Sequence, residues 1–300
     1  MKKAQFMNRD FETFYTNIYK DKYIDLINRL QNRTNQHCTV ARHDDGSTYD
    51  VDAASIVVVG FILEVLKNRN SNIYSILDAC AAPGGKSLTL AHLWPEHLST
   101  SAYELTCNEL SPQRRQRLKY NLGHFLENAK QPPQSLQCTA HDASLLFKFF
   151  ENTFDHILLD APCSSERHVL QSPTHLTEWK PSRPKQLAQR QYSLLCSAYE
   201  CLKEEAVLTY STCSINPGEN DGVIKKFLTR AEKKNLSARL LKPDIENHAL
   251  MAIFQRYLPA GIYDLISHDN YYTTEFGLQL MPTPQLNWGP MYVAQIKKGL

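Results

Sequence analysis

The sequence has no long uninterrupted hydrophobic run. The longest apolar stretch, residues 56–66, is broken by Gly60 and Glu64, and it is well short of the ~20 apolar residues that a membrane-spanning helix needs. Lys2 and Lys3 are not followed by an apolar segment, and a secretion signal would contain one. We therefore expect a cytoplasmic protein without a membrane partner, with the mitochondrial matrix as the alternative location.

Cysteine spacings typical of metal or redox sites are also missing. No C-x-x-C pair and no cysteine–histidine spacing of a zinc site occurs among the 8 cysteines, at positions 38, 80, 107, 138, 163, 196, 201 and 213. Because we find no export signal, we expect reduced thiols, and we predict no metal site from these spacings.

Excess charge of either sign is absent. The formal net charge is +2, which neither indicates nor excludes a nucleic-acid partner. With 42% hydrophobic and 21% charged residues in 300, the chain has the composition of a globular protein rather than a disordered one. We predict a helical N-terminal extension at residues 1–50 and one larger domain at residues 51–300.

Strand and helix patterns alternate through the middle of the chain, which predicts an α/β fold: an open, Rossmann-like parallel sheet with helices on both faces. The predicted strands are Ile73–Asp78, Ala102–Asn108, Ser135–Thr139, His156–Asp160 and Ala206–Tyr210. The predicted helices are Ser87–Leu93, Pro112–Leu126, Lys185–Leu202 and Pro217–Ala231. Leu278–Met281 and Pro290–Ile296 are expected to form a C-terminal antiparallel pair.

The flanking segments have different patterns. Residues 10–30 have helical spacing of apolar side chains, and a further helix capped by Asp52 is predicted to end near Leu66. Residues 31–50 are polar and are predicted to form a loop. Residues 164–184 and 235–275 are predicted to be irregular insertions.

A loop of small residues follows the first strand of the alternating region. The run from Asp78 to Ser87 reads DACAAPGGKS and leads from a strand into a helix. Small residues allow a ligand to approach the backbone, and the first N–H groups of the helix are free to bind it. The run matches neither G-x-G-x-x-G nor G-x-x-x-x-G-K-S, which disfavours nucleotide hydrolysis. We predict that a cofactor is bound by Cys80, Ala81, Ala82, Pro83, Gly84, Gly85 and Lys86.

Carboxylates follow the next three predicted strands. Glu109 follows the second strand, Asp142 follows the third, and Asp160 ends the fourth. The carboxyl ends of parallel strands form the ligand-binding edge of such a sheet. Each acid alone could be solvated or cap a helix. Together they predict an adenosine-bearing cofactor, because Glu109 can accept hydrogen bonds from ribose hydroxyls and Asp142 can accept one from the adenine amino group.

Two cysteines lie just after strands, Cys163 in the run DAPC and Cys213 in the run YSTC. If these strands are neighbours, both thiols reach one edge of the sheet. Carbon 5 of cytosine becomes nucleophilic after a thiolate adds to carbon 6, and Asp160 is placed to bind the pyrimidine edge. A second thiol could take part in product release. We interpret Cys38, Cys107, Cys138, Cys196 and Cys201 as inert packed thiols.

These motifs resemble the Sun-domain (nucleolar-protein/Sun) family of RNA cytosine-5 methyltransferases. The resemblance covers about residues 50–300. It depends on the small-residue loop at residues 78–86 and on the cysteine motifs at residues 160–163 and 210–213, with Asn220 downstream. It implies a class I methyltransferase fold and the cofactor S-adenosyl-L-methionine. It also implies that Cys213 is the nucleophile, that Cys163 serves product release, and that Lys86 and Asp160 face the target base.

The resemblance gives weaker information about the substrate. Residues 52–55, 166–168 and 288–292 are similar to the mitochondrial branch, which modifies small-subunit ribosomal RNA or a transfer RNA, and bacterial relatives share the layout. We expect ribosomal RNA, with transfer RNA as the alternative. Only about 50 residues precede the catalytic region, so we expect target selection to use a loop or a protein partner.

Basic residues follow the proline–cysteine motif. Phosphate contacts from this segment would position an RNA whose target base must leave its stack. A solvated basic loop is the alternative. The predicted RNA contacts are Arg167, His168, Lys180, Arg183 and Lys185, with Arg190 close by. A second basic run at residues 114–119 is interpreted as a solvated helix face.

Three other functions have to be considered. A DNA cytosine methyltransferase would use Cys163 as its nucleophile. An exocyclic amino methyltransferase would carry a Pro-Pro-aromatic motif, which this chain lacks. A non-catalytic RNA-binding or ribosome-assembly factor could keep the fold, but binding alone does not require both Cys163 and Cys213.

Overall fold

The structure, a computed structural model, describes residues 8–31, 37–69, 71–245, 248–258, 271–283 and 285–300. It begins with helices α1 (Arg9–Tyr19) and α2 (Tyr23–Gln31), joined by a short 3-10 turn. A β-hairpin follows, formed by β1 (His37–Arg42) and β2 (Thr48–Asp52).

A mostly parallel sheet forms the centre of the fold. Its strands are β3 (Ile73–Asp78), β4 (Ala102–Asn108), β5 (Ser135–Thr139), β6 (Phe154–Asp160), β7 (Leu202–Thr212), β8 (Ala238–Leu241), β9 (Tyr271–Thr273), β10 (Leu278–Leu280) and β11 (Met291–Lys298). The order is β5-β4-β3-β6-β7-β11-β10-β9, and β8 pairs with β11. Strands β3 to β7 are parallel, and β11 is antiparallel to β7 and β10. The predicted α/β sheet and C-terminal antiparallel pair are confirmed.

Helices cover both faces of the sheet. They are α3 (Ala53–Lys67), α4 (Gly85–His97), α5 (Pro112–Leu126), α6 (Glu166–Gln171), α7 (Pro173–Thr177), α8 (Ser182–Glu200), α9 (Asp221–Lys233) and α10 (His248–Tyr257). Residues of α3, α4 and α5 share one core with the sheet, and residues of α8 and α9 share a second core on the opposite face. Asp52 caps α3 as predicted, because its side chain accepts a hydrogen bond from the Ala54 N–H at 2.9 Å.

The prediction of a loop at residues 31–50 is wrong. Residues 37–52 form the β1–β2 hairpin, in which Cys38 and Ala41 are buried. The run Asp44-Asp45-Gly46 forms the tight turn between the two strands, where Gly46 has a φ of +86°. Residues 32–36 lie outside the described part of the chain.

The two predicted insertions also contain regular structure. The first contains α6, α7 and the start of α8. Its structure is stabilised by Leu176 and Trp179, which pack against Phe11 and Tyr15 of α1. The second holds β8, α10 and β9, while 246–247 and 259–270 are outside the described residues. Tertiary packing fixes these segments, and local sequence pattern does not reveal it. In the described part of the chain, no helix combines the length and the apolar character needed to cross a membrane.

Candidate active site

A cavity of about 600 Å³ opens at the carboxyl ends of the parallel strands. Strands β6 and β7 are neighbours, with Asp160 opposite Ser211, so the loops that follow them meet. The cavity is lined by predicted residues from four separate segments: Cys80, Ala82, Lys86, Glu109, Asp160, Cys163 and Cys213. The topology therefore brings the predicted cofactor residues and both cysteines to one place.

The small-residue loop has a fixed backbone. Gly84 is the N-cap of α4 and has a φ of +111°. A Cβ there would also lie 3.2 Å from Leu118 Cδ1, so glycine is required. Asn121 Nδ2 donates to the Pro83 carbonyl at 2.7 Å, and Asn108 Nδ2 donates to the Ala79 carbonyl at 3.1 Å. Sequence reasoning did not single out these two asparagines, which hold the loop in place.

Ala81, Pro83 and Gly85 line a smaller adjoining cavity of about 190 Å³ together with Lys86 and Asp160. Asp78 lines the same cavity and is buried. Its Oδ2 accepts a hydrogen bond from Ser87 Oγ at 2.7 Å, while no group of the described chain is bound to its Oδ1. Burial raises the pKa of Asp78 to about 7.

The acid after β4 is well placed for a polar ligand. Glu109 is buried at the cavity wall, where one carboxylate oxygen accepts the Ser111 N–H at 2.8 Å and the other lies 3.3 Å from the Arg114 guanidinium. Arg114 also donates to the Ala82 carbonyl at 2.7 Å, and Arg115 donates to the Glu109 carbonyl at 2.9 Å. Arg114 is 57% exposed and lies on the helix face predicted to be solvated, whereas Arg115 is partly buried; both also secure loops of the cavity.

Asp142 is placed differently. Its side chain is exposed and caps a 3-10 turn by accepting hydrogen bonds from Ser144 N at 3.0 Å and Ser144 Oγ at 2.9 Å. These bonds lower its pKa. Its neighbours His141 and Ala143 line the cavity, so the adenine contact of Asp142 stays a prediction.

The carboxyl groups of the two cavities suit S-adenosyl-L-methionine as hydrogen-bond acceptors. That cofactor offers hydroxyl and amino donors, and the cavity wall presents the Glu109 carboxylate, while the Asp78 carboxyl lines the adjoining cavity. A volume of about 600 Å³ lies within the range of ~300–1,000 Å³ typical of small-molecule sites. Most of residues 79–86 are small, so their backbone atoms could contact the cofactor directly.

Lys86 and Asp160 form an ion pair inside the cavity. Lys86 Nζ lies 2.7 Å from Asp160 Oδ2, and Ser211 Oγ donates to Asp160 Oδ1 at 2.8 Å. Burial alone lowers the pKa of Lys86, but the charge and hydrogen bond of Asp160 outweigh it, so the pKa is raised. The pair therefore presents an ammonium and a carboxylate to a bound ligand.

The two cysteines are in contact. Cys163 Sγ and Cys213 Sγ are 3.2 Å apart, and Ser165 Oγ lies 3.2 Å from Cys213 Sγ. The hydrogen bond from Cys163 lowers the pKa of Cys213 despite its burial, and the same contact raises the pKa of Cys163. The pair therefore favours a Cys213 thiolate that accepts a hydrogen bond from the Cys163 thiol.

Two fully buried glutamates, Glu166 and Glu219, connect the cysteine loops. Sequence reasoning included Glu166 only in the branch similarity of residues 166–168 and gave neither acid a place in the site. Glu219 accepts hydrogen bonds from the Ser164 N–H and from Gln191 Nε2, each at 2.9 Å. Glu166 accepts bonds from the Ile215 N–H at 3.1 Å and from Ser214 Oγ at 2.9 Å. Each acid thus binds loop residues next to a cysteine. Both acids follow polar or turn-forming residues, a pattern typical of exposed loops, so their burial could not be predicted from local sequence.

Ionisation of Glu166 should make stability depend on pH. Burial raises its pKa from 4.5 to about 7. The stabilisation by the neutral form is complete below pH 4.5 and is lost as the pH rises through about 7. Relative to Glu166→Gln, we expect the wild-type free energy of unfolding to fall by roughly 2–3 kcal/mol between pH 5 and pH 8.

Urea denaturation of both proteins at each pH measures this difference, and Glu200→Gln on α8 is the control, whose pH dependence should match the wild type. Equal pH dependence in wild type and Glu166→Gln would show that Glu166 does not take up the proton.

The predicted RNA contacts fall into two groups. Arg167 is buried, with its guanidinium 3.0 Å from Asn287 Oδ1, and burial lowers its pKa while Asp52 raises it. It lies on α6 and not in an exposed loop. The other predicted contacts are exposed along α6 to α8: His168, Lys180, Arg183 and Lys185. Arg190 lines the active-site cavity.

The sheet order and the covering helices are those of the class I methyltransferase fold. The family described as 16S rRNA methyltransferase RsmB/F matches residues 63–296. The chain belongs to this family, which confirms the resemblance found in the motifs.

Individual relatives agree with this assignment. The chain is 30% identical to the mitochondrial tRNA (cytosine(34)-C(5))-methyltransferase of Danio rerio, over 83% of this chain and 60% of that protein. It is 35% identical to a probable ribosomal RNA small subunit methyltransferase B of Coxiella burnetii, over 65% of this chain and 42% of that protein. The crystal structure of NSun6 from Pyrococcus horikoshii with SFG shares the fold, with a TM-score of 0.57, 22% identity, and coverage of 84% of this chain and 53% of that chain.

Proposed function

We propose that this chain methylates carbon 5 of a cytosine in RNA. The observation that carries the proposal is the contact between Cys163 and Cys213 beside the Lys86–Asp160 ion pair, in one cavity. A binding protein needs neither thiol. The lowered pKa of Cys213 supports its assignment as the nucleophile.

The residues can perform each step of such a reaction. The Cys213 thiolate forms a bond to cytosine C6, and the electrons of the C5–C6 double bond move toward the ring nitrogen and carbonyl. Asp160 accepts a hydrogen bond from the exocyclic amine, while the Lys86 ammonium stabilises the developing negative charge. S-adenosylmethionine, when bound, supplies a methyl group attached to a positively charged sulfur.

Release reverses the first step. The C5 proton leaves to a base, the C5–C6 double bond forms again, and the C6–S bond breaks with its electron pair returning to Cys213. Cys163 lies 3.2 Å from that sulfur, so its S–H can donate a hydrogen bond to the departing thiolate. A better leaving group speeds the step.

The substrate proposed is ribosomal RNA, which is supported by the description of the matching family. A transfer RNA is the second candidate, because the Danio rerio relative, named for a tRNA cytosine, aligns with 83% of this chain. The chain spans 60% of that relative and 42% of the Coxiella one. We propose separately that a protein partner assists target selection. We propose a cytoplasmic location, with the mitochondrial matrix as the alternative that the same relative supports.

The test uses RNA that contains 5-azacytidine, which traps a thiolate adduct because ring nitrogen replaces C5–H. The purified chain is incubated with total RNA and cofactor, and covalent complexes are isolated under denaturing conditions. We expect an adduct whose RNA, once sequenced, names the substrate. Absence of an adduct from folded, cofactor-loaded protein, with ribosomal and with transfer RNA, would contradict the proposal.

A further inference from the structure

A second cluster of ionisable side chains lies away from the active-site cavity, between the β1–β2 turn and α5. His43 Nδ1 is 3.2 Å from one oxygen of Asp45, and His124 Nε2 is 3.3 Å from the other. One potential ligand atom from each of these three residues lies within 4.8 Å of the others. The two imidazole rings are stacked, with centroids 3.8 Å apart.

The hydrogen bonds around His43 define which nitrogen carries a lone pair. Its Nε2 lies 3.4 Å from Glu127 Oε2, and its Nδ1 accepts the Asp45 N–H at 3.3 Å. With the proton on Nε2, the Nδ1 lone pair faces the Asp45 carboxylate at 3.2 Å. A cation bound at Nδ1 would replace the Asp45 N–H as the partner of this lone pair and would also offset the repulsion between the nitrogen and the carboxylate oxygen.

One outer contact of His43 matches that of a metal-bound histidine. Metal-ligating histidines usually donate their second ring N–H to a carboxylate or carbonyl, which fixes the tautomer. Glu127 supplies such a carboxylate to His43. The side chains of His43 and His124 are each 18% exposed, so a cation can enter while much of its surroundings is protein.

We propose that His43 Nδ1, His124 Nε2 and one carboxylate oxygen of Asp45 bind a zinc ion. Two imidazole nitrogens and one carboxylate are a ligand set that zinc commonly takes, with a fourth position for water. Ser47 Oγ, which is 2.8 Å from His124 Nε2, would move away from the nitrogen and can bind that water.

The cation would fasten the hairpin to α5 beside the cofactor loop. The hairpin already contacts that loop, since the Tyr49 hydroxyl lies 3.4 Å from the Pro83 carbonyl. The Tyr49 ring also packs edge-on against Phe125 of α5, at 5.2 Å, and Tyr49 lines the smaller cavity with Asp78. Zinc would thus hold one wall of the ligand site.

The experiment measures metal binding directly on the chelator-treated 300-residue chain at pH 7.5. Cobalt(II) titration should give weak visible d–d bands at one equivalent, and zinc should displace them. Zinc at about 100 times its dissociation constant should raise the melting temperature by roughly 3–6 °C. We expect Asp45→Asn and His124→Ala to lose more than about 100-fold in affinity.

Asp44→Asn is the matched control, because Asp44 lies in the same turn and is exposed but is not part of the cluster. It should bind cobalt and zinc as the wild type does. No cobalt bands in the wild type, or equal affinity in Asp45→Asn and Asp44→Asn, would overturn the proposal. So would an intense near-ultraviolet cobalt–thiolate band, since it would place the metal at the cysteines.

Discussion

Cys213→Ala is expected to lower the rate of 5-methylcytosine formation by at least ~10⁴-fold and to abolish the covalent RNA adduct. Without the thiolate, nothing adds to C6 and C5 stays unreactive. Removing a catalytic nucleophile commonly costs this much or more. The measurements are methyl transfer from radiolabelled cofactor and adduct formation on azacytidine RNA. Cys138→Ala, a partly buried cysteine on β5, is the matched control and should keep both activities.

Cys163→Ala should have the opposite effect on the covalent RNA adduct, which is expected to accumulate instead of being lost. Cys213 can still attack, but the departing thiolate loses the thiol 3.2 Å away. We expect turnover to fall while a covalent complex accumulates on ordinary RNA, visible as a slowly migrating band on a denaturing gel. An adduct formed by Cys213→Ala and lost in Cys163→Ala would assign the nucleophile to Cys163, as in DNA cytosine methyltransferases.

The part of the fold that sequence predicts well is the alternating region. The strands at Ile73–Asp78, Ala102–Asn108 and Ser135–Thr139 and the helix at Pro112–Leu126 have the predicted bounds, because buried parallel strands are apolar and turn residues bound them. The β6 and β7 strands begin earlier than predicted, at Phe154 and Leu202. Charged residues such as Glu204 and Glu205 obscured the start of β7.

Local sequence could not reveal groups that only the fold brings together. His43 and Asp45 are far in sequence from His124, so a search for zinc spacings finds no motif. Glu166 and Glu219 follow different cysteines and are both fully buried, bound to groups such as Ser214 Oγ. Polar residues in loops are normally exposed, and burial here depends on partners from other segments.

Asp160→Asn is expected to reduce methyl transfer by roughly 10³-fold, because Asp160 both binds the proposed base and holds Lys86. The variant should also lower the free energy of unfolding by roughly 2 kcal/mol, since the Lys86 ammonium keeps its charge in a buried place without its partner. The side chain of Asp160 is 34% exposed, so we expect a smaller loss than for a fully buried pair. Rates with saturating cofactor and urea denaturation measure the two effects.

The stability and rate effects can be separated. Adding Lys86→Met to Asp160→Asn removes the unpaired charge and should restore stability without restoring activity. Asp155→Asn is the matched control: Asp155 lies on the same strand, is buried, and pairs with Arg69 at 3.3 Å and Lys203 at 2.8 Å. It should lose stability but keep the rate per folded molecule. If Asp160→Asn loses no more activity than Asp155→Asn, the role of Asp160 in the site is structural and it does not bind the target base.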